Sequence, residues 1–564
     1  MGSEKADWCE GSGLVEELKQ AAKEVVVGVE HAPALLRLID ALHRLGIAHY
    51  FRQEIHRAFC RLLPSVASDL DLFHTSLQFR LLRQHAFPIT PVVFDKFIDS
   101  NGKFLEHIAE DAEGLLSLYE ASHLGFSGEQ VLEGAKDFSS KHLNLLLSQN
   151  KLKGNLRGQV QLSLQLPLHW RMPRIEARYF IDIYQQDVGM QHLVLLRLAK
   201  LDYNLLHSLY LDELKELTEW WTKVKAKYKP GFPRENLLVE CYFWAMGSVP
   251  EFEFSKGRKN LAAYGIIATI LDDMYDIQGS IEDLQKFTHA IKLWDIKAVN
   301  GLPDYMKVIY SAIVENGDQT ARHALEHLGL NIDFLPYIKE QWASYCRALM
   351  MEARWARERY MPSFDDYMNN AWVSIGIVPG MVYALLAQAH EVAEYLPDCL
   401  DNWANSELFY WPSFITRLLD DLTSTDDEME RGEANAMVCY MVERGAPQEE
   451  AKVHMKGLLN NAWTRLMELG NPQAPGHIPN SLLGVALSMC RSVQKIFLHG
   501  DWFGARTQPN QDWSSQVEEL KQAAKELAVG VEEAPALLRL IDALHRLEIT
   551  HISGKRSTAP SAAY

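Results

Sequence analysis

Paired cysteines, long apolar runs and surplus positive charge are what this chain has least of. Its seven cysteines, Cys9, Cys60, Cys241, Cys346, Cys399, Cys439 and Cys490, are scattered with no CxxC spacing. That is the pattern of a reduced intracellular protein, not of a disulfide framework. No stretch of 18 apolar residues occurs, so no membrane span is expected. Lys and Arg total 56 against 74 Asp and Glu, a net charge of −18. This argues against nucleic acid or an anionic membrane as the main partner. It also means that an anionic ligand would need a local cation or a metal. The opening MGSEKADWCEGSG holds Glu4, Asp7 and Glu10 and no arginine, so neither a secretory signal nor a transit peptide is expected there.

What is present is helix. With 564 residues, 48% of them hydrophobic, the chain can hold two or more domains and a sizeable core. LVEELKQAAKEVV and APALLRLIDALHRLGIAHYF carry apolar residues at three- and four-residue spacing, and Pro33 suits the first turn of the second helix. His169 and His207 have no ligand spacing and are expected to be packing or surface residues.

One stretch organises the rest. AAYGIIATIL, residues 262–271, reads as a buried helix, and Asp272, Asp273 and Asp276 follow at its end. Asp272 and Asp276 then share one helix face, with Asp273 beside them. Taken alone, the cluster fits either a solvated helix end or a site for a hard divalent cation, which takes one or two carboxylates plus phosphate and water. A second cluster lies in Arg417–Glu428. Asp420, Ser424 and Glu428 recur every four residues and line one helical face. Arg417 stands one turn earlier, with a guanidinium suited to phosphate.

Together, DDMYD and DDLTSTDDE resemble the DDxxD and (N/D)Dxx(S/T)xxxE motifs of plant class I terpene synthases. The resemblance covers about residues 14–510. It implies an all-α protein of two helical domains, an N-terminal α-barrel relic over 1–210 and a catalytic class I terpenoid synthase bundle over 211–510. It implies Mg²⁺, three ions with Mn²⁺ as a substitute, held by Asp272, Asp273, Asp276, Asp420, Ser424 and Glu428. The partner it implies is a small prenyl diphosphate, met by Arg234, Arg417 and the metal-bound Asp272, Asp276 and Asp420, in a monomer. HWRMPRIEAR, residues 169–178, is similar to the wording of angiosperm monoterpene synthases and favours geranyl diphosphate. Farnesyl diphosphate is the alternative, since no transit peptide is visible. Location follows the same split: cytoplasm for the chain as written, plastid if a longer N-terminus exists.

The carry-over also has gaps. The family's Arg-x-Arg reads Arg234-Glu235-Asn236 here. Its lid-loop glycine is Trp502, although the catalytic lid aspartate is matched by Asp501. Trp244 is either a core aromatic or a pocket wall, and the resemblance favours a wall that steadies a cation catalytically. Asp69 and Asp71 do not make the DxDD acid of class II cyclases. The family's N-terminal Arg-Arg-x8-Trp is not found, which favours acyclic products. Residues 511–564 are an atypical tail in which 517–551 repeats 15–49 with five differences, among them Val26/Ala528 and Gly46/Glu548. A synthase-like protein with impaired catalysis and a chain-elongating prenyltransferase are the rival readings. The latter would normally carry two DDxxD motifs.

Overall fold

The computed structural model describes residues 3–62, 70–186, 192–227, 237–328 and 332–498. Among these every regular element is a helix, and the sole β-pairing is one isolated bridge, Ile98 to Phe104. The chain divides into two compact units, with the main boundary between Ser208 and Leu209. The helix Leu193–Lys227 runs through that boundary without a break, so Leu217–Trp221 is not the start of a new helix as the sequence suggested. Arg234, Asn236, Asp501, Trp502 and the repeat over 517–551 lie outside the described residues.

In the first unit, the Ala32–Arg44 helix buries Leu35, Leu36, Leu38, Ile39, Ala41 and Leu42. That is the apolar stripe which three- and four-residue spacing builds. Pro33 sits in its first turn, where a missing N–H costs nothing. Asp71 caps Leu72–Gln84 by accepting from the His74 N–H at 2.8 Å, and Asp111 caps Ala112–Ser122 through the Gly114 N–H at 2.9 Å.

Acids buried in this unit have basic partners. Glu176 takes Arg44 at 2.8 Å and Arg171 at 2.9 Å, Asp40 takes Arg80 at 2.5 Å, and Asp202 takes Arg174 at 2.7 Å. Arg171, Arg174 and Glu176 belong to HWRMPRIEAR, so that segment is part of a buried ion network. His169 and His207 are both buried.

The second unit gathers seven helices around a cavity: Leu237–Ser248, Ser255–Asp273, Leu335–Glu358, Phe364–Ser374, Ile377–Ala387, Glu407–Arg431 and Asn480–Phe497. The stretch Phe364–Ala387 is long and apolar enough to cross a membrane, but 78% of its apolar window is buried inside the protein. It is also broken at Gly376, whose φ of +75° is a left-handed conformation that glycine adopts without strain. Away from the cavity the pairing rule of the first unit holds. Arg258, fully buried, forks onto Glu213 at 2.8 and 2.6 Å.

Candidate metal centre and cavity

The Ser255–Asp273 helix is buried along most of its length, as its Ala, Ile and Leu content dictates. At Met274 the coil widens into a π-helical turn, Met274–Gln278. The sequence pointed to a plain α-helix through Asp276. A π-turn releases backbone carbonyls from the regular ladder. Arg357 takes them up, donating to the Gly279 carbonyl at 2.5 Å and the Tyr275 carbonyl at 3.5 Å. Asp272, Asp273 and Asp276 all line the cavity, Asp273 as a buried residue and Asp276 as an exposed one.

The opposite wall comes from Glu407–Arg431. Asp420, Ser424 and Glu428 line the same cavity, as their four-residue spacing requires. Their neighbour Asp421 does not. It is 1% exposed and accepts hydrogen bonds from the Ala436 N–H at 2.7 Å and the Tyr367 hydroxyl at 3.3 Å, with Arg417 at 2.5 Å. One aspartate of the pair faces the cavity and the other anchors the helix. Asn435 holds Glu428 with a 2.7 Å bond from its side-chain amide.

Arg417 lines the cavity but is buried, with ion pairs to Asp420 and Asp421. Its Nε is buried without a hydrogen-bond partner, a donor aimed at no acceptor in the protein. Arg431 is the other lining arginine, and it holds Glu433 at 2.7 Å.

The cavity is about 570 Å³ and is lined by seven carboxylates and two guanidiniums. This imbalance shows in the proton affinities. Burial pushes Asp276 well above the usual carboxylate range, and Asp272, Glu352 and Glu433 push it further. Its side chain still meets solvent through the cavity, so crowding by like charge accounts for much of the effect. Burial, then Asp421 and Asp420, raise Glu428 to about 8, against Arg417 and Asn435. Asp421 is raised to about 6 by burial, which Arg417 only partly offsets.

One participant escapes the sequence reading. Glu352 lies in the cavity wall, bound by the Ser374 hydroxyl at 2.5 Å and the Asn370 amide at 3.1 Å, and burial raises its proton affinity. Its signal was a carboxylate three and four residues after the buried Leu349 and Ala348, on the core-facing stripe. The aromatic run Phe409–Trp411 does not line the cavity. Tyr410 and Trp411 instead pack among Phe414, Trp372 and Arg465, and the helix continues through Pro412.

These donors suit a hard divalent cation. They are all oxygens, and they carry more negative charge than the local arginines neutralise. No group of three His, Cys, Asp or Glu converges on one point among the described residues. Each wall therefore offers one or two carboxylates per ion, and the rest of the shell would come from ligand oxygens and water, as Mg²⁺ prefers. Trp244, Tyr264 and Tyr345 give the same cavity an aromatic lining.

Comparison with known proteins gives the family of the chain. Residues 223–465 match the metal binding domain of the terpene synthase family, and residues 3–164 match the terpene synthase N-terminal domain. The chain is 41% identical to a chloroplastic trans-ocimene synthase of Litsea cubeba over 91% of its own length and 86% of that protein. It is 36% identical to a chloroplastic myrcene synthase of Quercus ilex over 88% of this chain and 82% of the relative. Among solved structures it resembles grey poplar isoprene synthase holding three Mg²⁺ ions and dimethylallyl-S-thiolodiphosphate, with a TM-score of 0.80 at 34% identity, covering 86% of this chain and 93% of that one. A limonene synthase with 2-fluorolinalyl diphosphate matches with a TM-score of 0.82 at 31% identity, over 88% and 92% of the two chains. The chain belongs to the plant terpene synthase family, whose N-terminal and metal-binding domains it carries.

Proposed function

We propose that this chain ionises geranyl diphosphate, with Mg²⁺, to a monoterpene olefin or alcohol and diphosphate. One observation carries the reading. Two banks of carboxylates, from Asp272–Asp276 and from Asp420–Glu428, line one cavity together with aromatic residues. Catalysis is assigned to residues 211–510, and residues 1–210 are assigned a supporting role.

In this reading Asp272, Asp273 and Asp276 hold ions on one wall, and Asp420, Ser424 and Glu428 hold them on the other. Three Mg²⁺ ions are assigned, after the number in the isoprene synthase complex. Bound there, Mg²⁺ neutralises the charge that develops on the departing diphosphate. Arg417, which lines the cavity, is assigned to the same anion, and so is Arg234. Trp244 turns its face to the allylic cation, an attraction of about 0.5–2 kcal/mol that grows where water is excluded. The walls keep water from the cation until a proton is lost or one water is admitted. Asp501 is assigned to the loop that closes the site. The chloroplastic relatives support action in the plastid.

The test is direct. The purified chain is incubated with Mg²⁺ and either geranyl or farnesyl diphosphate, and volatiles are read by gas chromatography. A ten-carbon product is the expected result. Product from farnesyl diphosphate alone would replace the substrate, and no product from either in a folded protein would overturn the reading.

A further inference from the structure

Trp244 stands in the floor of the cavity in a slot made by the absence of two side chains. It is 6% exposed and lines the cavity. On one side is Gly380 of the Ile377–Ala387 helix. A Cβ there would lie 3.0 Å from Trp244 Cη2, 3.4 Å from its Cζ2 and 3.3 Å from Tyr264 Cε1. Next to it is Gly265, where a Cβ would lie 3.4 Å from Trp244 Cε3 and 3.3 Å from Cys241 Cβ. Gly265 lines the cavity and Gly380 does not. Gly380 is therefore behind the indole as seen from the ligand space, and Gly265 is beside it.

The backing of the slot is stiff. The Tyr264 hydroxyl donates to the Gly376 carbonyl at 2.5 Å. The Tyr264 ring packs on Tyr383 at 4.9 Å and on Trp342 at 5.1 Å between centroids. Trp342 in turn donates from Nε1 to the Tyr383 hydroxyl at 3.0 Å. Carbon atoms pack best at about 3.5–4.0 Å. A methyl group at position 380 would therefore need about 0.5–1 Å from a neighbour. Tyr264 is held by its hydrogen bond and ring contacts, whereas the indole has open cavity in front of it. The indole is what moves, and it moves into the ligand space.

We propose that Gly380, acting through Trp244, sets the depth of the cavity and so the longest prenyl chain accepted, with Gly265 as the second determinant beside it. Gly380 is a positioning residue that never meets the ligand. The inference rests on the prenyl diphosphate reading above.

The experiment compares binding of the five-, ten- and fifteen-carbon prenyl thiolodiphosphates, which do not ionise readily, in the presence of Mg²⁺ by calorimetry. Proteins are the wild type, Gly380→Ala, Gly380→Val and Gly265→Ala. Gly380→Ala lies within a helix and outside positive φ, so its backbone tolerates alanine. The Gly265→Ala contacts of 3.3–3.4 Å ask Cys241 and Trp244 to give by only a few tenths of an ångström, a smaller demand on folding than Gly380→Val makes. For the longest chain the wild type binds, each variant is expected to lose at least tenfold in affinity relative to the next shorter chain. Adding Trp244→Phe to Gly380→Ala should restore most of that ratio, a coupling that a merely structural role would not produce. An equal loss for all lengths, or no rescue, overturns the inference and leaves the proposed function standing. A folded wild type that binds none of the three overturns both.

Discussion

Acids occur in two settings in this molecule, paired in the interior or lining the cavity, and the contrast separates architecture from binding. In the first unit, Asp40, Glu176 and Asp202 each have an arginine within 2.5–2.9 Å. Arginine attraction outweighs burial for Asp40 and Glu176, and both are held below the usual carboxylate range. Glu120 is the exception. Burial raises it, because Arg171 stands 3.6 Å away and is shared with Glu176. Around the cavity of the second unit the balance reverses, and Asp276, Glu352 and Glu428 are all raised. The second unit is not simply different in kind, since Glu213 is forked by Arg258 there. Acids with a partner inside the chain hold the fold. Acids left in excess are stable as anions only when a cation arrives from outside.

The contrast breaks most visibly through the cavity acids themselves. Asp272→Ala and Glu428→Ala should each cut turnover by about 10³-fold or more, as loss of a metal-borne electrostatic effect would. Their melting temperatures without metal, taken above pH 8, should hold or rise, because each then removes a repelling charge. Single-turnover assays and thermal melts in EDTA check both halves. Near-normal turnover in either variant would remove that residue from the proposed metal set.

Arg171→Met is the mirror experiment. It removes the arginine beside Glu120 and leaves Glu176 with Arg44 alone in the first unit, and breaking a buried pair costs about 3–5 kcal/mol. Urea unfolding should show that loss, with turnover per folded molecule unchanged. A large fall in turnover with full stability would mean that HWRMPRIEAR does more than pack.

Stability should respond to pH with opposite signs in the two settings. Glu428, raised from 4.5 to about 8, favours the fold when protonated. Its contribution is complete below its unfolded value and is lost as pH rises through 8. His43 and His85, whose ring nitrogens approach to 2.9 Å, are lowered by burial from 6.5 to about 3 and about 4. Their contribution is present above 6.5 and is lost as pH falls toward those values. Each slope is on the order of 2–3 kcal/mol across its range. Melts from pH 4 to 9 in EDTA should show both. Mg²⁺ should flatten only the alkaline one, and His85→Asn only the acid one. An alkaline slope untouched by Mg²⁺ would separate Glu428 from the metal.

The smallest effect sharpens the edge of the site. Asp365 and Asp366 resemble a metal pair on paper but stand in the first turn of the Phe364–Ser374 helix. Ser363 is the capping residue, accepting from the Asp366 N–H at 3.1 Å while donating to the Asp366 carboxylate at 2.7 Å. Ser363→Ala should cost about 1 kcal/mol in unfolding free energy and leave turnover as it was.

Local periodicity accounts for what could be read in advance. Spacing of three and four predicted the first-unit helices, the buried segment before Asp272 and the choice of Asp420 over Asp421. All of these depend on which face of one helix a residue occupies, and the 3.6-residue turn decides that without help from the rest of the chain. Glu352 was harder to see. It lies 76 residues before Glu428, inside an ordinary amphipathic helix, and belongs to the cavity only because Leu335–Glu358 packs beside the Ser255–Asp273 wall. The π-turn at Met274 was not readable either, since its freed carbonyls are met by Arg357 from another helix.

Helical class, the two acidic stripes and the family were therefore written into short stretches of residues. The facing of those stripes, the surplus of acid between them, the burial of Arg417 and the depth behind Trp244 are properties of no single stretch. They arise where helices distant in sequence exclude water together, and charge and shape in such a place depend on every wall at once.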